Sequence, residues 1–432
     1  MKFEPIPFKI QGDMEDCLPP MIRVRQNFPG RGIRDVKRAV LETLMRLSLG
    51  NIEGKRIAIT AGSRRIANLP QILKILGEYL YSLGASPFIV PAMGSHGEAT
   101  AAGQAEVLKN LEITKESTGM DIISDMETVC LGITHSGCRI YCGKTAAEAD
   151  GIVVCGRIKP HTSINGIVES GLCKMMVVGL GKHKGAAEFH SQGYSSLAKI
   201  LPEGGRIFLR KAPVLFGLGI VENACDETMI IEAMMPGRLL EREAALLQLA
   251  RQNMPHFLVD EIDVLIVDQL GKDISGGGMD PNITGRAITP LPRTPSVPIH
   301  CIVALDITGP SHGNANGIGA ADLTTCRVAE SINFNAMYTN ILTSGAFMAA
   351  KLPIILKDDE TAIRAAACCT PKRGKKYVKM VHIRDTLHLS EIEVSDNYLE
   401  EIKRENRIEV LSAPKQLRFD GEGRIVSDLV KM

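Results

Sequence analysis

Six short polar loops carry the side chains able to do chemistry, and each follows an apolar run rich in β-branched residues. Ala61-Gly-Ser-Arg-Arg65 follows Arg56–Thr60, Met93-Gly-Ser-His96-Gly follows Pro87–Pro91, and Arg157-Ile-Lys-Pro-His161 follows Gly151–Cys155. Met175–Val178 leads into Gly-Leu-Gly-Lys-His-Lys and on to His190. Asp263–Val267 leads to Asp268-Gln269-Leu-Gly-Lys272-Asp273, and Cys301–Asp306 to Gly309-Pro-Ser-His312-Gly-Asn-Ala-Asn316. Imidazoles such as His96 and His161 accept and donate protons near neutrality. Guanidinium and ammonium groups hold carboxylates. Lys174 sits in the apolar run Leu172-Cys-Lys-Met-Met-Val-Val178. An amine there loses hydration, which lowers its pKa and makes it a nucleophile. The structural alternative, a lysine snorkelling from a strand edge, has equal weight. Each histidine has its own bland reading: His96 as a helix cap, His161 in a local hydrogen bond, His183 as a surface residue.

These loops need elements to position them. Strands are expected at Arg56–Thr60, Pro87–Pro91, Gly151–Cys155, Lys174–Val178, Val214–Val221, Asp263–Asp268 and Cys301–Asp306. Helices are expected at Ile33–Leu47, Leu69–Leu83, Ala101–Leu111, Leu239–Gln252, Ala336–Ala350 and Glu360–Ala367. The alternation predicts an α/β protein with mostly parallel sheets flanked by helices. The helical pattern stops at Met254-Pro255 and a new strand begins at Asp263, so the expected domains are 1–255 and 256–432. In open parallel sheets ligands bind beyond the carboxyl ends of the strands. Polar, glycine-rich loops from both halves therefore predict one active site in the cleft between domains.

The 432 residues suffice for two cores, and 45% hydrophobic with 23% charged residues is ordinary for a globular chain. A net charge of +1 and the absence of Trp argue against nucleic acid and anionic membranes as partners. No apolar stretch is long enough to span a bilayer, and Met1–Gly12 has no secretory pattern. Eleven cysteines without a CxxC spacing read as reduced thiols in a cytoplasmic protein. Gly179-Leu-Gly-Lys-His-Lys-Gly185 lacks the GK[ST] of a P-loop. Gly276–Gly285 lacks a GxGxxG after a strand. The Pro-rich stretch Thr289–Pro298 reads as a surface connection.

The order of these motifs resembles the lactate racemase superfamily, whose members use a nickel-pincer nucleotide. The resemblance rests on Arg65, Gly94-Ser95-His96, Pro160-His161, Lys174, His190 sixteen residues later, and Gln269-Leu-Gly-Lys272. It implies an isomerase that racemises or epimerises a 2-hydroxy acid. By the same resemblance Lys174 tethers the cofactor through a thioamide and His190 ligates nickel. His96 and His161 are the catalytic bases, and Arg65, Gln269 and Lys272 bind substrate. The implied partners are the small hydroxy acid and the cofactor-synthesis enzymes. Two features depart from the pattern. Gly62 stands where the family often has Asp, three residues before Arg65, and the stretch from His161 to Lys174 is longer. These point to a divergent branch and a substrate other than lactate.

Two other classes compete. One is a metal-dependent hydrolase or lyase in which His96, His161, His190 and His312 ligate zinc or iron without the pincer cofactor. The other is a non-catalytic, cofactor-binding homologue.

Overall fold

The structure, a computed structural model, describes residues 17–291, 297–371 and 376–429. The opening Met1–Gly12 and half of the Pro-rich stretch Thr289–Pro298 lie outside the described residues. The chain divides into two compact units, one from Pro29 to Met254 and the other combining the residues up to Phe28 with those from Pro255 onward.

The Pro29–Met254 unit is built on a five-stranded sheet. Its order is Ser86–Pro91, Arg56–Ala61, Gly151–Arg157, Val214–Glu222, Thr228–Met234. The first four strands run parallel and the last is antiparallel. These strands read as nearly continuous apolar runs because both faces are covered. Ile57 and Ile59 face a core with Val40, Leu44, Leu73 and Leu76. Ala58, Ile152 and Val154 face the opposite core with Leu172, Met176, Val177 and Phe208. The covering helices start where the sequence offers starts. Asp35 caps Val36–Leu44 by accepting from the Arg38 N–H at 2.9 Å, and Pro70 lies in the first turn of Leu69–Ser82.

One expected strand is not a strand. Lys174–Val178 is helical, continuing from Leu172–Lys174 through a wide turn at Met175–Gly179. A short apolar run such as Met175–Val178 does not distinguish a buried strand from a buried helix. Here the buried Glu243 carboxylate accepts the Cys173 N–H at 2.8 Å, giving a partner to an N–H that a helix start leaves unbonded.

The second unit holds an eight-stranded sheet. Ile354–Leu356, Leu323–Thr325, Ile299–Ala304, Ile262–Val267 and Met380–Ile383 form a parallel set. Glu391–Ser395, Met21–Gln26 and Ile408–Val410 extend it antiparallel. The expected 1–255 domain is thereby corrected at its start. Met21–Gln26 pairs with strands more than 360 residues later, so its backbone hydrogen bonds are made in the second unit. Among the described residues no helix is long and apolar enough to cross a membrane.

Candidate functional site

Lys174 ends a short helix that runs beneath the carboxyl ends of the first unit's strands, where the Met175 side chain lies against Gly62 and Gly156. Its Nζ is 2.6 Å from His161 Nε2. His161 is held firmly. Its backbone N–H donates to Glu169 Oε2 at 2.7 Å, and its Nδ1 accepts the N–H groups of Ser163 (2.9 Å) and Ile164 (3.1 Å). The buried Glu169 is itself fixed by the Gly166 N–H and by Arg251 at 2.5 Å. With Nδ1 accepting, the neutral ring carries its proton on Nε2 and donates it towards Lys174. The lysine receives that proton with its lone pair in its unprotonated form. Burial first, then the charges of Arg64 and Lys159, hold the Lys174 ammonium down to a pKa of about 8, which brings the unprotonated form within reach well below the range of a solvated lysine.

His190 lies on the helix Lys182–Ser191. It reaches solvent, yet the surrounding protein and then the Lys174 charge push its pKa down to about 4. Its imidazole is neutral at physiological pH, the form that ligates a metal. Among the described residues no group of three or more His, Cys, Asp and Glu is arranged to hold a metal ion. The cluster required by the protein-ligated zinc or iron reading is therefore not assembled. A metal that arrives with its own donors needs only one imidazole, and the His190–Lys174 neighbourhood fits such a group.

His96 is exposed in the loop after Ser86–Pro91, and its Nδ1 lies 2.5 Å from Ser63 Oγ in the loop after Arg56–Ala61. Its loop is tied down by buried Gln104, whose Nε2 donates to the carbonyls of Gly94 (2.8 Å) and His96 (3.2 Å). The Gly94 N–H donates to the Gly179 carbonyl, joining this loop to the Lys174 helix. Of the two neighbouring arginines, Arg64 is the one whose charge is felt at Lys174. Arg65 is exposed beside it.

Residues 36–199 match the family model of the lactate racemase N-terminal domain. That segment carries a domain similar to the lactate racemase N-terminal domain. None of the curated proteins matches it in sequence. Among solved structures it is similar to the lactate racemase apoprotein from Thermoanaerobacterium thermosaccharolyticum, at 14% identity and a TM-score of 0.45, covering 84% of this chain and 94% of that one. It is also similar to a structural-genomics protein from Thermotoga maritima, at 16% identity and a TM-score of 0.46, covering 62% and 69% of the two chains.

Arg65, His96, His161, Lys174 and His190 all lie inside the matched segment, whereas Gln269 and Lys272 lie beyond it. Both belong to the second unit. The Gln269 N–H donates to the Arg384 carbonyl, and Lys272 Nζ donates to the Gly276 carbonyl at 3.1 Å. The glycines of 276–278 have a packing reason. A Cβ on Gly277 would lie 2.4 Å from Ile288 Cδ1, and one on Gly278 would lie 2.3 Å from the Asn316 carbonyl oxygen. His312, in the left-handed region at φ 48°, ends the turn Gly309–Ser311.

Sequence reading missed Ser63, Arg64, Lys159, Glu169 and Glu243. For Glu243 a signal existed: Leu239, Glu243, Leu246, Leu247 and Ala250 share one helical stripe, and an acid on an apolar stripe calls for a buried partner.

Proposed function

We propose that the protein is an isomerase, a racemase or epimerase of a 2-hydroxy acid, working with a nickel-pincer nucleotide. The observation that carries this reading is the 2.6 Å contact between Lys174 Nζ and a fixed His161, with the Lys174 charge felt at His190. Donor chemistry supports the cofactor. The amine reaches its unprotonated, nucleophilic form near pH 8, and the imidazole keeps its lone pair above about pH 4. Lys174 would hold the cofactor as a thioamide, and His190 would give nickel one ligand. When bound, the cofactor supplies a hydride acceptor, which makes Cα reactive although its proton is only weakly acidic.

The chain's own residues bind substrate and handle protons. An amide-type bond at Lys174 removes the lone pair that accepts from His161, so the His161 Nε2–H would then donate to the substrate oxygen. His96, oriented by Ser63, is the imidazole that would take the hydroxyl proton and return it. Arg65 and Arg64 are the cations for the substrate carboxylate. Free thiols at all eleven cysteines fit a reducing cytoplasm, where the cofactor-synthesis enzymes would be partners.

The test is co-production with cofactor-making enzymes, then chiral chromatography of 2-hydroxy acids incubated with the purified protein. At least one acid should lose optical purity, and intact mass should show an adduct that Lys174→Ala lacks. A protein that carries the adduct yet racemises no aliphatic, aromatic or sugar-derived hydroxy acid would overturn the reading.

A further inference from the structure

The run Gly179-Leu-Gly-Lys-His-Lys-Gly185 has no phosphate-binding spacing, yet it lies close against the loop that carries His96. A Cβ at Gly179 would meet the Ala92 carbonyl, and one at Gly94 would stand 3.3 Å from Ala186 Cβ. Lys182, inside this run, is only 2% exposed and opens the helix Lys182–Ser191 in the left-handed region at φ 56°. Its Nζ donates to the Pro91 carbonyl at 2.8 Å and reaches Gln104 Oε1 at 3.4 Å. Gln104 is fully buried. With its oxygen turned to the ammonium, its Nε2 has two protons for the loop, one for the Gly94 carbonyl and one for the His96 carbonyl. A continuous chain of contacts thus runs from the start of the His190 helix, through an ammonium and one amide, to the backbone of His96.

Three local costs meet at Lys182. Left-handed backbone is unfavourable for a residue that carries a Cβ. A lysine side chain loses more rotamer freedom on ordering than most others. Among the described residues no carboxylate forms an ion pair with the ammonium, and burial lowers its pKa although the Asp125 charge opposes this. An apolar side chain of similar length would fill the same space without the desolvation cost. Stability alone therefore gives an ammonium no reason to be here, and such local departures occur where a residue holds something in place. We propose that Lys182 is a positioning residue, which through Gln104 fixes the His96 loop to the start of the helix that carries His190. The inference deepens the proposed function and rests on it where turnover is concerned, because His96 and His190 are the imidazoles assigned there to proton transfer and to the metal. Lys182 itself reaches no reacting atom. A displacement of about 1 Å in a group that it positions is enough to cost on the order of a hundredfold in rate.

The first test uses the full chain produced without the cofactor-making enzymes, so its failure is separate from failure of the racemase reading. Amide hydrogen exchange is compared in the wild type, Lys182→Met, Gln104→Leu and the double variant. Gln104→Leu keeps the buried lysine on the Pro91 carbonyl and removes only the tether. Both single variants should speed exchange in the Gly94–His96 loop by at least about tenfold while the strand Ser86–Pro91 keeps its protection. The ring signal of His96 in histidine-labelled protein, assigned with His96→Gln, should move in both. Because the two side chains act in series, the double variant should exchange no faster in the loop than the faster single one. In protein loaded with cofactor, both variants should keep the Lys174 adduct and lose at least about tenfold in kcat with little change in KM. Wild-type exchange in the loop of either variant overturns the proposal. So does equal acceleration in loop and strand, which a purely stabilising lysine would give, or an additive double variant, or a raised KM with kcat unchanged.

Discussion

An amine that accepts a hydrogen bond has no proton to lose before it attacks an electrophile, and this sets how Lys174 should react. Its reactive form dominates above about pH 8, well below the range of a solvated lysine. Acylation mapped by peptide mass spectrometry between pH 6 and 10 should show Lys174 half-modified near pH 8, with surface lysines following about two units higher. Lys174 was visible in the sequence as a charge inside an apolar run. Its partner was visible only as one of several histidines, because the turn at Ser163 and Ile164 that fixes His161 leaves no pattern in residue types. Glu243 makes a second residue-scale test. Burial raises its pKa to about 8 against the opposing pull of the Cys173 and Leu172 N–H groups, so at pH 7 the carboxyl is mainly protonated. Glu243→Gln keeps an acceptor of the same shape and should change stability at pH 7 by less than about 1 kcal/mol. Glu243→Ala leaves buried N–H groups unpaired beside a cavity and should cost about 2–4 kcal/mol in urea unfolding.

At the scale of elements, the order of strands and helices in the first unit follows from alternating apolar runs and amphipathic segments, and the strand-end loops hold His96 and His161 as that pattern requires. The departure at Lys174–Val178 has a local cause. Glycines on either side let this helix lie against backbone where a Cβ would not fit. A Cβ at Gly179 would stand 2.6 Å from the Ala92 carbonyl oxygen, and one at Gly171 would stand 2.1 Å from Glu243 Oε1. Glycine reads from sequence as a turn or a breaker, so this packing role was not legible in it. Gly179→Ala should therefore force backbone apart and lower stability by about 1–3 kcal/mol in urea unfolding. Because the Gly94 N–H donates to the Gly179 carbonyl, the same variant should also increase hydrogen exchange in the Gly94–His96 loop.

Over the whole molecule, the pairing of Met21–Gln26 with Glu391–Ser395 and Ile408–Val410 lay outside sequence reasoning, because strand alternation carries no address for a partner hundreds of residues away. The same sheet hides the ionisable group that should shape how stability varies with pH. His382 is fully buried between Asp268 and Glu393, with Nε2 and Nδ1 each 2.7 Å from a carboxylate oxygen, while Ser427 holds the other Asp268 oxygen at 2.9 Å. Burial by itself would lower the pKa of this imidazole. The two carboxylates outweigh burial and raise it to about 10. The folded state thus binds this proton more tightly than the unfolded chain, where histidine titrates near 6.5. The resulting stability is fully present below about pH 6.5 and is lost as pH rises towards 10. His382→Gln removes the cation and leaves the buried Asp268 and the half-buried Glu393 carboxylates facing each other, which should cost about 3–5 kcal/mol near pH 6.5. Urea unfolding of both proteins at pH 6.5, 8 and 10 should show the difference between them shrinking steadily with pH, since Lys174 and Glu243 titrate alike in each and cancel. A difference that stays constant over that range would mean that His382 is neutral in the folded protein and that its two carboxylate neighbours share a proton instead.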